Sequence, residues 1–297
     1  MSRRTLAFLA AIGATTIYGI NHTVAKGIMP TYIKPFGFIL LRVIGASILF
    51  WSISFLGPKE KIQKKDWGQL IFASLSGMVI NMLAFFKGLQ LSTPINSSVL
   101  ITIVPIIVVL LSAFFLKERI TKNKGFGISI AFVGALLLVL FGAEIRHDAP
   151  NIPLGNSLFI INAIAYASYL IVSKKLLVKY HPFTLMKWLF TIAIFINLPI
   201  TLPEFLEINW HTMPLWVYGV IAFVIVGTTF CTYLFNIFAM TELKPSTIGA
   251  FIYVQPLLGI IFALISGKDT LTIVKIGAAI LVLIGVFLAS KKEKAKH

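Results

Sequence analysis

Acidic residues are scarce in this sequence, with ten Asp and Glu among 297 residues against 26 Lys and Arg. Only 12% of the chain is charged and 58% is hydrophobic, whereas soluble domains run at about 25% charged and about 45–50% apolar. With a mean hydropathy of +0.93, a water-exposed globule and a disordered chain are both excluded. The one cysteine, Cys231, lies inside an apolar run, so no intramolecular disulfide forms and no redox compartment follows. No Asp or Glu falls in the middle third of any apolar run, so the buried carboxylates of a proton relay are missing. The five histidines (His22, His147, His181, His211 and His297) are scattered without metal-ligand spacing. A glycine-rich phosphate loop and a His-Glu-x-x-His pattern are also lacking. What remains is an integral membrane protein.

A membrane helix takes about 20 mostly apolar residues. Such spans read near 5–26, 35–56, 67–88, 93–116 and 125–142, and again near 155–173, 182–203, 214–240, 245–266 and 271–290. Arg3 and Arg4 precede the first span as they would a signal peptide. That span stays apolar for over twenty residues and has a counterpart later in the chain, so it reads as a retained helix. The net charge of +16 sits in short basic blocks between spans, such as Lys59–Lys65 and Lys117–Lys124. Blocks of this kind orient helices and contact anionic lipids; no nucleic-acid partner is expected. With ten spans, 18 Lys and Arg fall on the side that holds both termini and five on the other. Both termini are therefore expected to be cytoplasmic.

The chain repeats itself. Shifted by 151 residues, Pro105 falls on Pro256, Thr102 on Tyr253, Glu118 on Asp269 and Gly134 on Gly285. Earlier in each half the shift is 148, pairing Tyr18 with Tyr166 and Lys26 with Lys174, and Pro35 pairs with Pro182 at 147. Each half holds five spans, an odd number, so the halves are expected to be inverted in the membrane, as in many secondary transporters.

The residues Tyr18-Gly19-Ile20-Asn21 through Lys26 resemble those of the drug/metabolite transporter superfamily, specifically its EamA-type ten-helix permeases. So do the run from Ser97-Ser98 through Pro105 to Lys117-Glu118-Arg119-Ile120-Thr121 and the glycine-rich stretches Gly125–Gly142 and Gly277–Gly285. The resemblance covers nearly the whole chain. It implies an all-α membrane protein of ten transmembrane helices in two inverted five-helix repeats. Residues 1–148 would form the first EamA-like repeat and 149–290 the second, with 291–297 a basic cytoplasmic tail. The chain departs from the family in having Tyr18 where Trp is frequent and Asp269 where Glu is. Metabolite export, or uptake of amino acids and related compounds, is what the resemblance implies for function.

Polar groups within spans should face a cavity or another helix rather than lipid. Thr15, Tyr18, His22 and Lys26 form one helical stripe with Asn21 beside it, and Asn162, Tyr166, Tyr169 and Ser173 form a matching one. Ser74 and Asn81 lie in the third span, Ser98 and Thr102 in the fourth. Thr229, Thr232, Tyr233 and Asn236 lie in the eighth, and Tyr253 and Gln255 in the ninth. The set assigned to a substrate cavity is Tyr18, Asn21, His22, Asn81, Thr102, Asn162, Tyr166, Tyr169, Tyr253 and Gln255. The competing reading, stronger for single Ser and Thr residues, is interhelical hydrogen bonding.

Pro105 and Pro256 fall at mid-span, where each removes a backbone donor, and read as hinges. Arg42, seven residues into its span, would attract an anionic group or snorkel to the headgroups. Small residues in the fifth and tenth spans, such as Gly127, Ala131, Gly134 and Gly285, read as close helix packing, with a homodimer contact as a further use. No catalytic residue, metal or cofactor is expected. The function that fits is a permease carrying a small organic metabolite across the cytoplasmic membrane by alternating access. A membrane-embedded lipid-modifying enzyme is the alternative.

Overall fold

The computed structural model describes residues 1–29, 31–92, 100–101, 103–117, 121–142, 151–255, 257–258 and 273–290. They are helical throughout, with no strand among the described residues. In hydrocarbon every backbone donor must be satisfied within its own segment, so apolar runs of this length fold as helices even where Val, Ile and Phe dominate. The first half contains α1 (Arg3–Lys26), α2 (Pro35–Ser54), α3 (Lys64–Leu91), α4 (Val104–Phe115) and α5 (Lys122–Gly142). The second contains α6 (Ile152–Leu176), α7 (Pro182–Leu206), α8 (Leu215–Glu242), α9 (Pro245–Val254) and α10 (Ile273–Ser290). Among the described residues, five helices are long and apolar enough to cross a membrane, namely α2, α3, α6, α7 and α8. Their outward faces are apolar as well: Ile160, Ile161 and Ile164 on α6 and Phe195 and Leu198 on α7 are all exposed.

Helix starts are set locally. Pro35 and Pro182 open α2 and α7, where a missing N–H costs nothing. Asn151 caps α6 by accepting from the Leu154 N–H (3.2 Å), and the His181 ring nitrogen accepts from the Phe183 N–H (3.3 Å) at the start of α7. Helix α2 has no side chain of its own for this role. Glu204, from the far end of α7, accepts from the N–H groups of Phe36 (2.6 Å) and Gly37 (3.3 Å), placing a carboxylate against the positive end of the helix. A side chain at Gly37 would stand 2.8 Å from the Glu204 carbonyl oxygen, so the approach requires glycine.

Packing runs between the halves. Helix α1 packs on α8, α3 on α6, α2 on α7, α4 on α9 and α5 on α10. Exchanging each helix for its counterpart five places along leaves this set of pairs unchanged. Two of the counterparts, α2 and α7, lie antiparallel: α2 begins beside Glu204 at the end of α7, and just past its own end Glu60 accepts from the His181 N–H (2.8 Å) where α7 begins. One end of the bundle carries the Lys34–Glu207 ion pair and a cleft of about 190 Å³ lined by Thr31, Tyr32, Glu204 and Thr212 among others. The Glu207 carboxylate beside it raises the pKa of the Lys34 amine above the ordinary lysine value. At the other end Asp66 accepts from Lys179 (2.6 Å) and from the Tyr180 hydroxyl (2.7 Å).

The main apolar core is built from the α1, α2, α3, α6, α7 and α8 contacts and includes Phe38, Phe50, Phe86 and Phe190. A smaller cluster of Val109, Ile128, Ala131, Ala250, Tyr253 and Val282 ties the α5–α10 pair to α4 and α9.

Candidate functional site

Polar groups of α1, α2, α3, α6 and α8 meet inside the bundle, and α8 supplies more of the side chains than any other helix. Its middle, Phe223–Cys231, is π-helical, as is Leu75–Ile80 in its counterpart α3. Wide turns of this kind recur at functional sites because they push extra groups off the regular seam. In α8 the wide turn lets the Thr229 hydroxyl donate to the Val224 carbonyl five residues back (2.8 Å). With its hydrogen committed, Thr229 Oγ1 accepts from Arg42 Nε (2.8 Å). The guanidinium carbon stands 4.7 Å from the centre of the Phe86 ring, a cation–π geometry. Arg42 is only 4% exposed, and Tyr18 and Tyr233 are the titratable groups beside it. Among the described residues no carboxylate pairs with it.

Around this centre the Thr228 hydroxyl donates to Asn21 Oδ1 (3.0 Å). Tyr18 lies beside Thr232 and Asn236, and the Asn236 amide donates to the Tyr166 hydroxyl (3.3 Å). The counterparts Tyr18 and Tyr166 thus reach the same α8 side chain from opposite halves. The Tyr233 hydroxyl donates to the Gly77 carbonyl (2.9 Å), and the Asn162 amide donates to the Asn81 carbonyl (2.9 Å). Tyr166, Tyr169 and Tyr233 form a file of rings with centres 6.0 and 5.9 Å apart. Tyr18, Asn81 and Tyr166 remain partly exposed within the bundle.

Tyr18, Asn21, Arg42, Tyr166 and Tyr169 of the sequence set are brought together, with Asn162 and Asn81 paired alongside. Tyr169 itself is fully buried, and its hydroxyl and that of Ser173 make no hydrogen bond of ordinary geometry. Tyr253 is not part of this gathering; it is fully buried in the smaller cluster beside α5 and α10, with its hydroxyl unbonded. Gln255, just past the end of α9, is also buried, with Oε1 unbonded. Thr102 and Pro256 lie outside the described residues, as do the side chains of His22 and Lys26.

Two expectations are corrected. Arg42 does not reach outward from the bundle: the Thr229 oxygen and the Phe86 ring hold it inward. Pro105 is not in the middle of a continuous helix, because α4 begins at Val104 and the proline occupies its first turn. The Ile103 N–H closes a tight turn on Leu100 (3.1 Å) just before it. The proline ring would clash with the carbonyl four residues back, and restarting the helix avoids that clash.

Thr228 and Phe86 escaped the sequence reading. Neighbouring residues of an α-helix point about 100° apart, so only one of Thr228 and Thr229 belongs to a regular seam. The π register turns both inward, and nothing in the local sequence announces it.

Comparison with known proteins agrees with this architecture. Residues 5–140 and 153–291 each match the EamA-like transporter family. The chain belongs to the EamA-like transporter family. It is a multi-pass membrane protein built from two copies of one repeat. An uncharacterized transporter of Archaeoglobus fulgidus is 28% identical over 94% of this chain and 96% of its own length. The uncharacterized transporter YetK of Bacillus subtilis is 26% identical over 97% and 88%. A solved crystal structure, titled only as that of a protein, shares the fold with a TM-score of 0.77 at 14% identity, over 96% of each chain.

Proposed function

We propose that this chain is a secondary transporter that moves a small organic metabolite, an amino acid or a related compound, across the cytoplasmic membrane by alternating access. The observation that carries this reading is the exchange-symmetric packing of the two halves around a buried Tyr, Asn and Thr cluster. Two equivalent halves can trade conformations, so one sequence pattern supplies an outward-open and an inward-open state. Ten spans, inverted halves and cytoplasmic termini complete the reading. The excess of basic residues on one side supports that orientation and would face anionic lipid headgroups. A lining of hydroxyl and amide groups suits solutes of amino-acid size and is poor for multiply phosphorylated ones.

The test is metabolite profiling inside and outside cells that express the protein, beside cells with a Tyr18→Ala/Asn236→Ala variant of equal membrane abundance. A solute redistributed by the intact protein and left in place by the variant is the expected outcome. Redistribution of no solute would overturn the carrier. Equal redistribution by the variant would move the site elsewhere in the bundle.

A further inference from the structure

Arg42 is a buried cation whose needs the protein meets only in part. A guanidinium carries five N–H donors, and one of them, on Nε, reaches the Thr229 oxygen at 2.8 Å. The four hydrogens on the two Nη atoms have no acceptor in the described structure, and the side chain is 96% removed from solvent (4% exposed). A charge taken out of water without a counter-ion is strongly disfavoured, and within a membrane span such a residue marks a functional site by default. The scaffold does not require it. By the Pro35–Pro182 register, the α7 counterpart of Arg42 is Leu189, fully buried at the equivalent place in the other half. The geometry also holds the group ready: Thr229 fixes Nε from one edge and the Phe86 ring lies 4.7 Å from the guanidinium carbon. That leaves the paired Nη edge without a protein acceptor among the described residues, with Tyr18 and Tyr233 as the titratable groups that act on the guanidinium.

We infer that the Nη edge of Arg42 is the docking point for the carboxylate of the transported solute, so that the substrate class is small organic monocarboxylates, amino acids among them. Two parallel N–H donors match the two oxygens of a carboxylate. Among the described residues, one cation amid neutral hydroxyl and amide groups balances a single negative charge and leaves a dianionic phosphate half compensated. The aromatic rings nearby suit the organic body of the solute. The inference rests on the carrier reading in taking the bound acid as the solute that moves.

The test measures binding without relying on transport. The purified full chain in detergent is heated with L-amino acids and short monocarboxylates, each beside its own carboxamide, with chloride as an ion control. At least one acid should raise the unfolding midpoint where its amide does not, and Arg42→Gln should weaken that acid's binding by about 30-fold or more. Arg42→Lys, keeping the charge but not the fork, should retain a weakened preference for acid over amide. The inference is overturned if acid and amide shift the wild type alike, if no acid shifts it, if chloride does as well as the acids, or if Arg42→Gln binds the acid undiminished. The wild-type comparisons decide the matter even where the Gln variant fails to fold. Acid binding at Arg42 in a protein that redistributes no solute in cells would leave the anion site standing and remove the carrier reading alone.

Discussion

A methyl group at Gly77 would stand 2.5 Å from Cδ2 and 2.6 Å from Cγ of Tyr169, and that single contact fixes the middle ring of the file of tyrosines. Tyr169 is locked from behind by α3, Tyr233 is locked by its hydrogen bond to the same Gly77 carbonyl, and Tyr166 is left the most exposed of the three. Gly77→Ala should therefore cost stability by about 1–3 kcal/mol, the usual range for overpacking. Because the conflict is with one ring, Gly77→Ala combined with Tyr169→Ala should cost less than the two single changes added together. Thermal unfolding of the four proteins in one detergent gives the coupling; strict additivity would show that the clash is relieved elsewhere. Arg42 belongs to the same scale. Its position depends on a threonine hydroxyl turned by a π-helical register, a dependence no single-residue property discloses.

Two elements show how the halves are joined. In α10, Gly285 lies so close to α5 that a side chain there would stand 2.6 Å from the Gly127 carbonyl oxygen and would also meet Ala131. This is the small-residue contact by which membrane helices pack backbone to backbone. Gly219, on the exposed side of α8, has nothing within 4 Å. Alanine at Gly285 should separate α5 from α10 and lower the amount of folded protein recovered in detergent. Alanine at Gly219 should be neutral or slightly stabilising, by up to about 1 kcal/mol from helix propensity. Size-exclusion profiles and unfolding midpoints of the two variants make the comparison; matching losses would mean that glycine matters to these helices generally. The counterpart helices α3 and α8 carry their π segments at corresponding places, Leu75–Ile80 and Phe223–Cys231. The repeat thus extends to a backbone irregularity as well as to apolar pattern.

At the scale of the whole molecule, the ends of the bundle are chemically distinct. One carries the Lys34–Glu207 pair and Glu204 on the start of α2; the other carries Asp66 with Lys179 and Tyr180, and Glu60 on the start of α7. The antiparallel α2 and α7 place a related contact at each end, and the proposed alternating access would have one set loosen as the other holds. Orientation is tested by labelling. In a Cys231→Ser background, a cysteine at exposed Asn209 should react with an impermeant maleimide on intact cells, and one at exposed Lys61 only after lysis. The reverse pattern would turn the protein over in the membrane.

The sequence by itself determined that the chain is helical and apolar, where α2, α3, α6, α7 and α8 lie and that it is written twice. Those properties follow from runs of hydrophobic residues and from prolines and glycines at fixed offsets, which act locally along the chain. The starts of α2 and α7 at Pro35 and Pro182 were legible for that reason. So were Tyr18, Asn21 and Tyr166, large polar residues on periodic stripes in matching positions. Which of the polar residues meet was decided only by the tertiary structure. Tyr253 shares the size and repeat logic of Tyr18, yet it packs with the α5–α10 pair, because α9 contacts different neighbours from α1. Arg42 turns inward because an α8 threonine 187 residues away offers an oxygen and an α3 ring offers a face. A charge in a membrane is placed by the partners that relieve its burial, and those partners come together only when the two halves close on each other.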